Sequence, residues 1–304
     1  MQFRSEGAFF HGHERLRNIR IATKVEVRNG LMSVSQNIGP QNTRSGEKSG
    51  IEFRNHGMNF KARAAILSNF EERHGHVVVP VYRSPDGDGV VHVGSAILVK
   101  TTRKYWLFTS HHVSENCQGI VLASQPNIRL AGPTVFHTDP IDLAYTEVAR
   151  EDVPAILAAG MAFLPSGLIA PTLESLSPEC CAFTGFPDKA VDLDGDERTA
   201  LVWPQRIFST FADDSVIIAA GYDPAIHLAA PVKIIQRQNE AFNPHGLSGG
   251  AIWRVLENSE VKLVGIATEH HRGRGLLIGT RIRPLIDNII KRLTAALSPE
   301  GGAK

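Results

Sequence analysis

Gly246-Leu247-Ser248-Gly249-Gly250, entered from Phe242-Asn243-Pro244-His245 and followed by the apolar run Ala251-Ile252-Trp253, fences one serine with three glycines. An attacking hydroxyl needs open space, backbone that turns sharply, and N–H groups aimed at the oxyanion it creates. Glycine carries no Cβ and serves all three needs. The same five residues also suit a glycine-rich hairpin turn that holds a serine, so the rest of the chain has to decide between the two.

A serine hydroxyl is too weak an acid to attack unaided; it needs a histidine as base and a carboxylate to orient that histidine. The chain has 13 histidines, so context must select among them. Trp106-Leu107-Phe108-Thr109-Ser110-His111-His112-Val113 sets two histidines at the end of an apolar strand, where a loop projects side chains into a cleft. Pro140-Ile141-Asp142-Leu143-Ala144-Tyr145-Thr146-Glu147-Val148 sets an aspartate just before a strand with alternating burial.

These three segments resemble the signature blocks of the chymotrypsin-like (trypsin-fold) serine proteases, in the bacterial style related to the HtrA and glutamyl-endopeptidase branches. The family pattern is Thr-x-x-His-Val, then Asp-Leu/Ile-Ala, then Gly-x-Ser-Gly-Gly, and Thr109–Val113, Asp142–Ala144 and Gly246–Gly250 follow it in that order. The resemblance implies Ser248 as nucleophile and His112, rather than His111, as general base. It implies Asp142, rather than Asp139, as the orienting carboxylate, and the N–H groups of Gly246 and Ser248 as the oxyanion hole. It spans roughly residues 76–295 and implies an all-β fold of two antiparallel Greek-key β-barrels with the active site in the cleft between them, plus a C-terminal helix. The implied activity is that of a serine endopeptidase acting on protein or peptide substrates without a cofactor.

Further expectations follow from the same resemblance. Gly94–Val99 is the small-residue strand before the histidine strand, and Val261–Thr268 is the strand after the nucleophile, lining the substrate cleft. The base of the specificity pocket falls near Phe242 or Asn243, and Thr268, Glu269, His270 and His271 lie beside the cleft. Two features depart from secreted animal members of the family. Val113 stands where they carry a disulfide-forming Cys, and no Ile-Val-Gly-Gly sequence is present to switch the site on. Control by a regulatory protein partner or by the N-terminal extension is therefore the expected alternative to zymogen cleavage.

Along the chain, residues 1–57 are polar, without sustained periodicity, and composition predicts a disordered extension. Met58 precedes the helix-like run Phe60–Phe70, so a functional chain beginning at Met58 is one expectation. Residues 58–150 read as a helix and the first barrel, 151–172 as a linker with a short helix after Asp152, 173–281 as the second barrel, and 282–297 as an amphipathic helix. In the first barrel, strands are expected at Val77–Tyr82, His92–Val99, Tyr105–Thr109 and Ile120–Ala123, with a turn at Ser84–Gly89. In the second, they are expected at Cys180–Thr184, Leu201–Ser209, Ser215–Ala219, Ala251–Leu256, Val261–Thr268 and Leu276–Thr280. A hairpin at Glu257–Glu260 joins two of these.

Composition bounds the partners. With 32 Lys and Arg against 31 Asp and Glu, the net charge of +1 gathers neither nucleic acid nor an anionic membrane. Three cysteines, two of them adjacent (Cys180 and Cys181), do not form the even framework of a disulfide-stabilised domain, and Met1–Arg20 holds no apolar signal core; a cytoplasmic location fits. The one long apolar stretch, Val153–Pro171, is interrupted by prolines and glycines and does not read as a membrane span. His245, His270 and His271 lack the further ligands a zinc site needs, so no metal is read.

Two other readings stay open. Gly-x-Ser-x-Gly is also the nucleophile elbow of α/β-hydrolase esterases, but there a helix follows the serine and the acid precedes the histidine downstream of it. Here Ala251 onward reads as a strand, and His270 and His271 precede Asp287. The other is a catalytically inactive binding or regulatory module on the protease fold.

Overall fold

The computed structural model describes residues 59–83, 91–115, 120–122, 128–130, 134–137, 140–171, 176–187, 191–193, 200–202, 204–232 and 244–295. The extension over 1–57 and the turn at Ser84–Gly89 lie outside them. Helix α1 (Phe60–His74) begins where the Asn59 side chain accepts from Ala62 N at 3.0 Å, and it ends at Gly75, whose φ of +76° favours glycine.

The first sheet is built from β1 (Val78–Arg83), β2 (Val91–Lys100) and β3 (Tyr105–Thr109), the four-residue helix α2 (His111–Ser114), then β4 (Ile120–Leu122), β5 (Ile128–Leu130), β6 (Thr134–His137) and β7 (Leu143–Val148). The spatial order is β5-β4-β1-β2-β3-β7-β6, antiparallel throughout. After β1, β2 and β3, strand β4 returns to lie beside β1, which is a Greek key. Helix α3 (Val153–Ala158), with Pro154 in its first turn, leads to β8 (Leu164–Pro165), which joins β2 in parallel.

The second sheet starts with β9 (Cys180–Gly185). A separate hairpin, β10 (Val191–Leu193) and β11 (Ala200–Val202), follows, then β12 (Gln205–Thr210), α4 (Asp214–Ala219), β13 (His227–Pro231), β14 (Ala251–Val255), β15 (Val261–His271) and β16 (Leu276–Arg281). The order is β12-β9-β14-β15-β16-β13. Its two edges meet where Ala212 N donates to Ala229 O at 2.8 Å, curling the sheet into a barrel. Helix α5 (Arg283–Ala295) closes the described chain and buries Leu285, Ile286 and Ile289 of the apolar stripe, leaving Ile290 exposed. The fold is all-β: two antiparallel Greek-key barrels and a C-terminal helix.

Three elements differ from the sequence-based expectation. Ser215–Ala219 is helical, within α4, because Val216 and Ile217 turn inward while Ile218 faces solvent, an arrangement one helical turn satisfies as well as a strand. The strand expected over Leu201–Ser209 is interrupted at Pro204, which has no N–H for a ladder. Strand β13, His227-Leu228-Ala229-Ala230-Pro231, was not anticipated, since two alanines and a proline carry little strand preference; it forms because β16 pairs with all five residues.

One buried cluster joins the two barrels, with Phe108 and Tyr145 of the first alongside Phe186 and Trp253 of the second. Trp253 is fully buried and its indole N–H donates to Thr184 Oγ1 at 3.1 Å, so no polar group is stranded there. Phe70 of α1 meets Trp253 edge-on, ring centroids 5.3 Å apart, so a helix that precedes the first barrel docks on the second. Among the described residues no helix is long and apolar enough to cross a membrane.

Candidate active site

The histidine segment is placed by β3, which ends at Thr109 and turns through extended Ser110 into α2. His112 lies on that single turn, and its Nδ1 stands 2.9 Å from Asp142 Oδ2. The backbone N–H of His112 donates to Asp142 Oδ1 at 3.2 Å, and that of His111 donates to Asp142 O at 3.2 Å. Because a carboxylate only accepts, this contact puts the proton of the neutral ring on Nδ1 and leaves Nε2 with a lone pair. Asp142 sits just before β7 with φ +43°, the left-handed region that Asp tolerates better than most residues.

The serine turn hangs between β14 and the first barrel. Gly246 has φ +88° and Gly249 has φ +85°. A Cβ on Gly249 would lie 1.8 Å from Ser95 O and 2.2 Å from Thr109 Oγ1, so only glycine fits there. Ser95 of β2 fastens the turn: its N–H donates to Ser248 O at 2.8 Å and its hydroxyl donates to Gly246 O at 2.8 Å. The Gly246 and Ser248 N–H groups have no hydrogen-bond partner among the described residues.

His112, Asp142, Gly246 and Ser248 line one cleft of about 520 Å³, between the two barrels. Strand β15 also contributes, with Thr268, Glu269 and His270 lining the cavity. The Ser248 hydroxyl donates to Thr268 O at 3.3 Å, and among the described residues no hydrogen bond joins it to His112. Glu269 accepts from Tyr222 OH at 2.7 Å. Burial holds the His270 imidazole below the ordinary histidine range, and Arg272 and His245 push in the same direction. Phe242 and Asn243, expected at the specificity pocket, lie outside the described residues.

Solved structures similar to this chain include serine proteases. One is the serine endoprotease from Yersinia pestis, at 16% identity and TM-score 0.45, covering 78% of this chain and 66% of that one. Another is the HtrA-type protease AlgW with decapeptide, at 14% identity and TM-score 0.45, covering 75% of this chain and 67% of that one. The chain thus spans about two thirds of the length of these proteins. No protein-family model matches the chain, and no curated protein matches it.

Some cleft residues carry no signal in the sequence. His92 of β2 and Arg272, just after β15, both line the cavity, and Arg272 Nη2 donates to His245 Nε2 at 3.1 Å. Neither sits in a motif; an isolated histidine on a strand and an arginine in a turn read as ordinary surface residues. Among the described residues no group of three or more His, Cys, Asp or Glu side chains is arranged to hold a metal ion.

Proposed function

We propose that this chain is a serine endopeptidase. The observation that carries the reading is the 2.9 Å contact of His112 Nδ1 with Asp142, in the cleft that Ser248 also lines. Ser248 Oγ leaves Thr268 O, gives its proton to His112 Nε2 and attacks the scissile carbonyl; apo hydrogen bonds of this kind commonly tighten only when substrate is bound. The oxyanion is met by the Gly246 and Ser248 N–H groups. His112 returns the proton to the leaving amine, and a water then releases the acyl group with His112 again as base.

A peptide substrate has a place to lie. Strand β15 is paired with β14 only over Val261–Ile266, so among the described residues Thr268–His271 has β16 on one side and no strand on the other. An extended peptide can add to such an edge through backbone hydrogen bonds. Control by a partner protein belongs to the same proposal, as does a reducing, cytoplasmic setting, which the buried free thiols of Cys180 and Cys181 support.

A second reading, a protease-fold binding module without turnover, is favoured by the Ser248 to Thr268 hydrogen bond. A peptide-library cleavage assay separates the two. Ser248→Ala and His112→Ala each lower kcat by on the order of 10⁴-fold or more while leaving the fold intact. Turnover by either variant at the wild-type rate refutes the assignment.

A further inference from the structure

His227 of β13 and Thr280 of β16 are opposed residues in the register of the second sheet. Opposed residues of an antiparallel pair send their side chains to the same face. Both reach across to the first barrel. His227 Nε2 lies 2.7 Å from Pro140 O, and the Thr280 hydroxyl donates to Ile141 O at 2.6 Å. These two consecutive carbonyls immediately precede Asp142.

A carbonyl only accepts, so His227 Nε2 carries a proton. Its Nδ1 lies 3.1 Å from Asp223 O, a carbonyl that already accepts the His227 backbone N–H at 2.7 Å. The donor side chains are buried, His227 and Thr280 being 3% and 2% exposed. The third carbonyl of the turn, Asp142 O, is taken by His111 N. Three successive carbonyls are therefore held from outside the turn. A non-glycine residue at positive φ persists where its surroundings over-determine it; Asp142, at φ +43°, is such a residue.

We infer that His227 and Thr280 are positioning residues for Asp142: a clip from the second barrel that fixes the aim of the carboxylate and, through it, the tautomer and orientation of His112. The catalytic consequence rests on the endopeptidase reading, whereas the clip itself rests on the hydrogen bonds alone. It also gives the two barrels a shared coordinate. Ser248 enters from the second barrel and His112 from the first, and the clip ties the histidine's orienting group to the serine's own sheet.

The test is the ring ¹⁵N spectrum of His112, assigned by its disappearance in His112→Ala, at a pH where the ring is neutral. Wild type holds the proton on Nδ1. Thr280→Val, isosteric but without the hydroxyl, shifts the ring toward the Nε2–H tautomer, and Thr280→Ser returns it. His227→Ala combined with Thr280→Val shifts it further, and fluorophosphonate inactivation slows about tenfold in the same order, as expected for a misaligned base. An unchanged His112 tautomer in the folded double variant overturns the clip. Should wild type take no fluorophosphonate while its tautomer still responds to Thr280→Val and Thr280→Ser, the clip stands and the endopeptidase reading falls.

Discussion

Ser95 of the first barrel gives its hydroxyl hydrogen to Gly246 O and takes the N–H of Phe186, each at 2.8 Å, so one fully buried side chain joins the turn holding Ser248 to the strand end of β9. Both partners are backbone groups; the Phe186 bond is buried, whereas Gly246 borders the cleft.

Ser95→Ala leaves the buried Phe186 N–H unpaired, at a cost of about 1–3 kcal/mol, and releases the Gly246 carbonyl from its tether. We expect a lower urea midpoint with unchanged slope, and a fall in kcat larger than any change in KM, since the loosened turn carries Ser248. A midpoint equal to that of wild type would contradict this role.

Gly249→Ala tests the close approach at the turn. The added Cβ meets the Ser95 carbonyl oxygen at 1.8 Å and the Thr109 hydroxyl at 2.2 Å, at a φ of +85°. Neither neighbour is the free end of a flexible side chain, so relief requires backbone of two barrels to part. The expected outcome is a loss of at least about 3 kcal/mol, read by chemical denaturation. A variant as stable as wild type would mean that the turn does not sit against β2 as described.

The acid side of the stability profile is set partly by His76, whose imidazole is held below its ordinary value of 6.5, first by burial and then by Arg206. A depressed folded value means that the unfolded chain takes up the proton first as pH falls. The stabilising difference is present above 6.5 and is lost as pH drops through the folded value. Tm of wild type should fall as the pH drops below 6.5 toward the folded value, and His76→Gln should flatten the fall. Parallel curves for the two proteins would remove His76 from the explanation.

How much of this could be read from the sequence depends on how local each feature is. The serine turn is legible because its demands on backbone fall on adjacent residues, Gly246, Gly249 and Gly250. The strand ending at Thr109, just before the turn that carries His112, and the aspartate just before β7 are legible for the same reason. The barrels follow from strands with strong β-branched or aromatic content, such as β2, β3 and β15. Strand β13 was hidden because its alanines and proline gain strand form only from β16. The docking of α1 on Trp253 was hidden because helical periodicity marks an apolar face without naming what covers it. His227 and Thr280 were invisible for a stronger reason: their partners, Pro140 and Ile141, lie 87 and 139 positions away, and the acceptors are backbone carbonyls that every residue possesses.

The central claim is that Ser248 is an activated nucleophile. The most direct measurement is intact-mass and peptide mapping after exposure to a fluorophosphonate. The account predicts one phosphonyl adduct per chain on the peptide containing Ser248, none in Ser248→Ala, and labelling slowed by on the order of 10³-fold or more in His112→Ala. Wild-type protein that takes no adduct, or an adduct that forms equally fast in Ser248→Ala, would contradict it.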